Sequence, residues 1–421
     1  MSAPFDVLLR DALLQDGRRL DLGCRDGLIA TMVAAGSLSG APAGTTRDLD
    51  GRLVTPALVD AHVHLDKAFL SDRAPGAEGT LAEAIHVTGE AKKRFTLEDI
   101  RARARRVLDL AVRSGTTAMR GHVEVDPIVG LMALEAVLPL KAEYAPALDL
   151  QLCAFAQEGI LRAPGTEALL ARALRGGADL IGGCPYNDTD PRAHVDIVFR
   201  LAREFGVDAD FHADFFDEPT HLHVRYICEQ TVRHGWQGRV VVGHMTELGA
   251  LPPTEAQAII RELAAARVGV IMLPATDLYL MGRVDAFKVR RGLAPAKRLL
   301  AGGVAVAAAT NNVRNAFTPV GNADPALMAF LLTVGAHMGT REEQAWALAM
   351  ITTEPARMLR LGDRTLAEGR PADLVVWDAV ALDEAVGGVA PRRLVVKAGR
   401  VTVEHRRTVD EPWRASRASG V

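Results

Sequence analysis

Eight short apolar runs, spaced through the middle of the chain, constrain its fold more than any other feature. The first ends at His64, and the others cover residues 116–125, 150–156, 180–184, 207–212, 240–244, 268–273 and 304–309. Helical patterns lie between them, at 98–113, 166–174, 195–205, 253–266 and 294–300. Strands that alternate with amphipathic helices are βαβ units and build a parallel sheet. Eight such units predict an α/β fold, a (β/α)8 barrel of the TIM type. An open doubly wound sheet is the alternative, but no Gly-rich phosphate fingerprint follows the first strand.

Both ends of the chain read as β instead. Residues 5–9 and 27–34 are β-rich, 36–46 is a loop of Gly, Ala, Ser and Pro, and 53–65 is apolar but broken at Pro56. Residues 372–377 and 394–397 are strands by composition, and Ala398-Gly399-Arg400 is a hairpin turn into 401–404. A small β-sandwich domain from 1–55 plus 361–421 and a catalytic barrel over 56–360 are therefore expected.

A chain of 421 residues that is 49% hydrophobic buries a core of this size. Its net charge of −3 gives no broad basic field, which argues against nucleic acid as a partner. No run of about 18 apolar residues argues for a membrane span. The first ten residues lack the basic and apolar regions of a secretory signal. Cys24, Cys153, Cys184 and Cys228 form no C-x-x-C pair and read as reduced core thiols. A cytoplasmic protein with a small-molecule partner is expected.

The polar residues that carry chemistry stand at the C-terminal ends of the runs: His62 and His64, Gln157, His212, His244, Asn311 and Asn312. In a barrel these ends meet at one mouth, where active sites are built. Residues two apart on a strand face the same way, so His62 and His64 are able to grip one divalent ion. Taken alone, His-x-His is equally two polar residues at a strand end. With His212 and His244 at equivalent places, four of twelve histidines need a common explanation. Asp66 shares their face and is either a hydrogen-bond partner of a ligand histidine or an ion-pair partner of Lys67, Arg73 or another loop cation. Lys67 is a substrate anchor, a carbamylated ligand or a surface lysine. Asp214 shares the face of His212 and is placed to orient a water or take a proton. Asp217 and Glu218 follow Phe215 and Phe216; they are solvated carboxylates unless burial raises their pKa and makes them usable acids. Gln157 both donates and accepts, which suits a heterocycle edge or a structural amide. His122, inside the second run, reads as a core histidine.

At these residues the chain resembles the amidohydrolase superfamily, and within it the cytosine deaminase group, over nearly its whole length. Val54-Thr55-Pro56 leading into His62-Val63-His64-Leu65-Asp66 is similar to the first-strand motif, and Gly79-Thr80-Leu81 to the opening of the next helix. Gly115-Thr116-Thr117 with Arg120, His122 and Val123 resembles the second-strand motif, and Ala154-Phe155-Ala156-Gln157-Glu158-Gly159-Ile160 the third. Glu368-Gly369 before Ala372-Asp373-Leu374-Val375-Val376 resembles the return into the small β-sandwich. The resemblance implies one divalent metal held by His62, His64, His212 and the eighth-strand position. It also implies His244 holding the hydrolytic water, Gln157 reading a pyrimidine edge, and a homo-oligomer.

Two positions depart from that pattern. The eighth-strand aspartate is Asn311, and the fifth-strand glutamate that shuttles protons is Phe215. A neutral amide ligates through its oxygen but takes no proton, and losing a negative ligand weakens the grip on the metal.

The function expected is a metal-dependent hydrolase of the amidohydrolase or deaminase type, cleaving a C–N bond in a small nitrogen-rich heterocycle. The metal is zinc, iron or manganese. His244, with Asp214 or Glu218 replacing the missing shuttle, is the catalytic set; Gln157, Lys67 and Asn312 bind substrate; residues 69–93 close as a lid. The alternative from another class is a catalytically inactive small-molecule binder, which the loss of both acidic groups also predicts. A lyase or isomerase on this fold stays open.

Overall fold

The computed structural model describes residues 4–411. Its N-terminal segment forms a sheet of β1 (Phe5–Leu13), β2 (Arg19–Arg25), β3 (Leu28–Ala34) and β4 (Ala43–Asp48), in the order β3-β2-β1-β4. The apolar run broken at Pro56 divides where a ladder donor is missing. β5 (Val54–Pro56) joins an outer sheet, and β6 (Leu58–His64) enters the barrel.

The eight apolar runs are the eight strands of one parallel sheet: β6, β7 (Thr116–Glu124), β8 (Asp149–Ala156), β9 (Leu180–Gly183), β10 (Asp208–Ala213), β11 (Val240–His244), β12 (Gly269–Met272) and β13 (Val306–Ala308). They pair in sequence order. Closure runs through Asn311, three residues past the last strand: His64 N donates to Asn311 O at 2.7 Å and Asn311 N to His62 O at 2.8 Å. Every residue of β6 and β7 is buried, as parallel strands covered on both faces require. The fold is the (β/α)8 barrel that the alternation predicts.

Two helices, α1 (Leu81–Lys92) and α2 (Leu97–Arg113), follow β6, and α3 (Met132–Tyr144), α4 (Thr166–Arg175), α5 (Pro191–Phe205) and α6 (Val224–Arg233) follow the next strands. Sequence patterning missed α3, whose Pro139 breaks the helical signal, and α1, whose buried face holds mostly small residues. β14 (Leu374–Trp377), β15 (Arg392–Lys397) and β16 (Arg400–Glu404) complete the outer sheet in the order β16-β15-β14-β5. The expected loop at 36–46 ends in β4, which pairs in parallel with β1. That pairing is long-range, so local composition does not show it.

Val7, Leu9 and Leu22 of the first sheet share one core with Val54, Leu374 and Val396 of the other. We propose the division 1–55 plus 361–421 and 56–360 as the domain organisation; residues 1–3 and 412–421 lie outside the described residues. Among the described residues no helix is long and apolar enough to cross a membrane. All four cysteines are buried and unpaired.

Candidate metal centre and active site

Three imidazoles converge at the mouth of the barrel. His62 and His64 come from β6 and His212 from β10. His212 Nε2 lies 3.0 Å from His62 Nε2 and 3.1 Å from His64 Nε2. The ring of His62 fits because Gly243 stands opposite; a Cβ there would meet His62 Cε1 at 3.3 Å. Burial pushes all three rings well below the ordinary histidine range, and the neighbouring histidines, with Lys67 beside His64, push the same way. Three neutral nitrogens this close repel unless a proton or a cation lies among them.

Asn311 follows the last barrel strand at the same mouth. Its φ of 57° is left-handed, a conformation asparagine tolerates better than most residues, and it lets the backbone bond both His62 and His64. Its Oδ1 is buried without a hydrogen-bond partner, and so are the Nδ1 atoms of His62, His64 and His212. An orphaned amide oxygen on the residue whose backbone bonds His62 and His64, together with three neutral imidazoles, is a donor set of the kind that fits a divalent ion.

A second group, His62, His122 and Asp210, is also close enough to hold a metal. Asp210 Oδ2, however, already accepts from Arg120 Nη1 at 3.0 Å, and that guanidinium opposes a second cation. Asp210 suits the supporting role better, with its Oδ1 3.8 Å from His62 Nδ1. His122 is fully buried, as its strand suggests, with Nε2 3.5 Å from Asp210 Oδ2. Its ring lies 3.9 Å from that of His62, and its Nδ1 is without a hydrogen-bond partner.

His244, at the tip of β11, lies 5.2 Å from His212, ring centre to ring centre. Its Nδ1 is held by Asp277 Oδ1 at 2.7 Å, which leaves Nε2 for the site. Phe215 stacks on this ring at 3.6 Å. Asp277, on the helix Pro274–Leu280 after β12, carries no sequence signal of its own.

Two of the expected proton shuttles are elsewhere. β10 ends at Ala213, and Asp214 adopts a φ of 51°, so period-two alternation stops applying there. Its carboxylate accepts from His223 N at 2.7 Å and Val224 N at 3.2 Å, at the start of α6. Burial and the nearby Glu247 push Asp214 up to about 7, yet both its oxygens face backbone. Glu218 is 67% exposed and pairs with Arg290 at 2.7 Å. Neither is placed against the imidazoles.

Lys67 is not a surface lysine: it is 1% exposed. Its Nζ donates to Glu124 Oε1 at 2.8 Å and to Gln157 Oε1 at 2.9 Å, and lies over the Phe317 ring. Burial works against charge on Glu124, but the ammoniums of Lys67 and Lys92 outweigh it and hold the carboxyl down at about 2. Asp66 plays neither role expected of it; its Oδ2 accepts from Glu124 N at 2.7 Å. Asn312 Oδ1 accepts from Asn315 Nδ2 at 2.8 Å, and its amide lies beside Thr276. The expected lid segment contains α1, and a cavity of about 500 Å³ lies beside that helix, lined by Ile85, His86, Glu158, Tyr186 and Phe216 among others.

Comparison with known proteins adds to this geometry. A family model described as "Amidohydrolase family" matches residues 45–403. N-isopropylammelide isopropyl amidohydrolase of Pseudomonas sp. (strain ADP) is 29% identical over 419 residues, covering 96% of this chain and 98% of that protein. Pterin deaminase of Rhizobium rhizogenes is 28% identical over 387 residues, covering 91% and 87%. Among solved structures, 5-methylcytosine deaminase from Klebsiella pneumoniae, liganded with 5-fluorocytosine, superposes with a TM-score of 0.91 at 30% identity, covering 96% of this chain and all of that one.

Proposed function

The chain belongs to the amidohydrolase family, and we propose that it hydrolyses an exocyclic C–N bond of a small nitrogen heterocycle at the imidazole centre of its barrel. It is a metal-dependent hydrolase, as members of this family bind a metal. The observation that carries the reading is the convergence of His62, His64 and His212 on one small volume, and Asn311, whose backbone bonds His62 and His64 and whose Oδ1 is buried without a partner, supports it. These four residues would hold zinc, iron or manganese. When bound, such an ion supplies Lewis-acid polarisation at the reacting carbon.

The protein's own groups then divide the work. In the overall reaction water adds its oxygen to the ring carbon, the C–N bond breaks, and ammonia or an amine leaves. His244 Nε2 takes the proton of the attacking water and returns it to the leaving nitrogen, while Asp277 steadies the imidazolium. Asn311 is neutral and accepts no proton, so this single dyad does what an acid pair would otherwise share. Phe215 closes one face of His244 with an apolar ring. Gln157 and Lys67, already paired, present amide and ammonium groups to the substrate edge, with Asn312 at the far strand end. The relatives act on an ammelide, a pterin and a cytosine, which are all nitrogen rings with an exocyclic C–N bond, and that supports the same substrate class here. Four buried thiols without a disulfide suit a reducing compartment, which supports a cytoplasmic location.

The test is elemental analysis of purified protein together with ammonia release from cytosine, 5-methylcytosine, aminotriazines and pterin, with and without added zinc, iron or manganese. Stoichiometric metal with metal-dependent release supports the reading. Bound metal without turnover on any of these would favour the alternative, a small-molecule binder, to which the substitutions at Asn311 and Phe215 also point. Asn311→Asp adds a negative ligand. It is expected to tighten metal binding by at least about tenfold, ~1.4 kcal/mol, in a chelator competition titration. Unchanged affinity would place Asn311 outside the ligand set.

A further inference from the structure

The site rests on a buried ion-pair chain that begins on the helix covering the barrel mouth. Lys92, in the last turn of α1, is almost wholly buried. Its Nζ lies 2.6 Å from Glu124 Oε2, 2.8 Å from Asp126 Oδ2 and 2.6 Å from Glu158 Oε1. Glu124 uses its other oxygen, Oε1, to accept from Lys67, and Lys67 donates to Gln157. One carboxylate thus lies between an ammonium from the covering helix and an ammonium from the site. The three acidic groups are close enough to hold a metal, but the Lys92 ammonium occupies that volume.

The rest of α1 is held by a small apolar cluster. Its fully buried residues are Ala84, Thr88, Ala91 and Lys92, while Leu81, Ile85 and Val87 are half-buried. Leu81, Ala84, Ile85 and Val87 pack in one apolar cluster with Phe215 and Phe317 of the site, so the ionic contact at Lys92 is what fixes the C-terminal end of the helix. Glu158, half-buried, both pairs with Lys92 and lines the cavity of about 500 Å³ beside α1. An occupant of that cavity touches the same carboxylate that holds the helix.

We propose that Lys92 is a positioning residue for the active site: it seats α1 over the barrel mouth and, through Glu124, fixes Lys67 and Gln157 beside the imidazoles. This rests on the reading of Lys67 and Gln157 as substrate-side groups. Removing the ammonium leaves Glu124, Asp126 and Glu158 to repel one another, and Glu124, held at one oxygen only, no longer fixes where Lys67 sits.

The test compares Lys92→Met and Lys92→Arg with the wild-type holoenzyme, with readouts that need no turnover. Limited trypsinolysis reports the seat of α1, since Lys93 and Arg94 remain cleavable. Competitive acetylation with acetic anhydride, read by mass spectrometry, reports the burial of Lys67 against the exposed Lys288. In Lys92→Met both cleavage after 93–94 and labelling of Lys67 are expected to rise about tenfold or more, with metal content unchanged and both changes reversed in Lys92→Arg. Faster cleavage with unchanged Lys67 labelling would make Lys92 a local anchor only and overturn the proposal, and so would no change in either. If Lys92→Met does not fold, Glu158→Gln removes only the half-buried partner and is expected to move both readouts the same way by less. Failure of the heterocycle reading would appear separately, as absent ammonia release with these two readouts still as expected.

Discussion

His212→Ala is expected to strip the divalent metal from the protein and to abolish turnover with it. His212 Nε2 is the one nitrogen within about 3 Å of both other imidazoles, so its loss opens the centre of the site rather than one edge. His62, His64 and an amide oxygen remain, and none of them carries charge to compensate. The effect is read directly by elemental analysis and by melting curves taken with and without added zinc. A ligand that binds only the folded state at about 1,000 times its Kd stabilises it by ~4 kcal/mol, and that metal-dependent rise in Tm should vanish in the variant. The metal-free melt should change far less, because the substitution also relieves the crowding of three buried imidazoles. His122→Ala is the control. His122 stands beside His62 but outside this triad, and Arg120 on Asp210 disfavours a cation there. If the His212 variant kept stoichiometric metal while the His122 variant lost it, the ion would belong to the His62, His122 and Asp210 group, and the assignment of the centre would fail.

The contrast between these two histidines shows what a sequence can and cannot disclose. His62, His64, His212 and His244 were legible because each ends an apolar run, and barrel topology gathers run ends at one mouth. Asp277 was not legible: it sits on a seven-residue helix whose only mark is the text Pro274-Ala275-Thr276-Asp277. Its partner emerges only when β11 and β12 lie side by side. Asp210 and Lys92 were hidden for the same reason, since their partners come from other strands. Asp214 misled in a different way. Period-two alternation put it beside His212, but the left-handed backbone at Asp214 turns its carboxylate to the start of α6. Lys67 looked like a loop cation because nothing local reveals that Glu124, from another strand, lies under it. Patterning therefore read the strands and their tips, while the polar groups behind the tips depend on which strands become neighbours.

The second large effect is expected at Asp277. Asp277→Asn should lower kcat by about 10²–10⁴ with metal content unchanged and KM little altered, because the group it removes acts on proton transfer. The carboxylate accepts from His244 Nδ1 at 2.7 Å, which fixes the tautomer whose Nε2 lone pair faces the centre. An asparagine amide is free to present its NH2 to Nδ1 instead, and the ring then carries its proton on Nε2, the wrong nitrogen for a base. The imidazolium formed during turnover also loses its counter-charge in a buried site, where a charge without a partner is costly. In an enzyme with a second acidic group near the reacting water, such a substitution would be partly masked. Here Asn311 and Phe215 stand where such groups would be expected, and Asp214 and Glu218 are turned elsewhere, so neither expected carboxylate is placed to substitute for the dyad. Full activity in Asp277→Asn, measured on whichever heterocycle the screen identifies, would remove His244 from the role of base and return the proton-transfer step to an unassigned group.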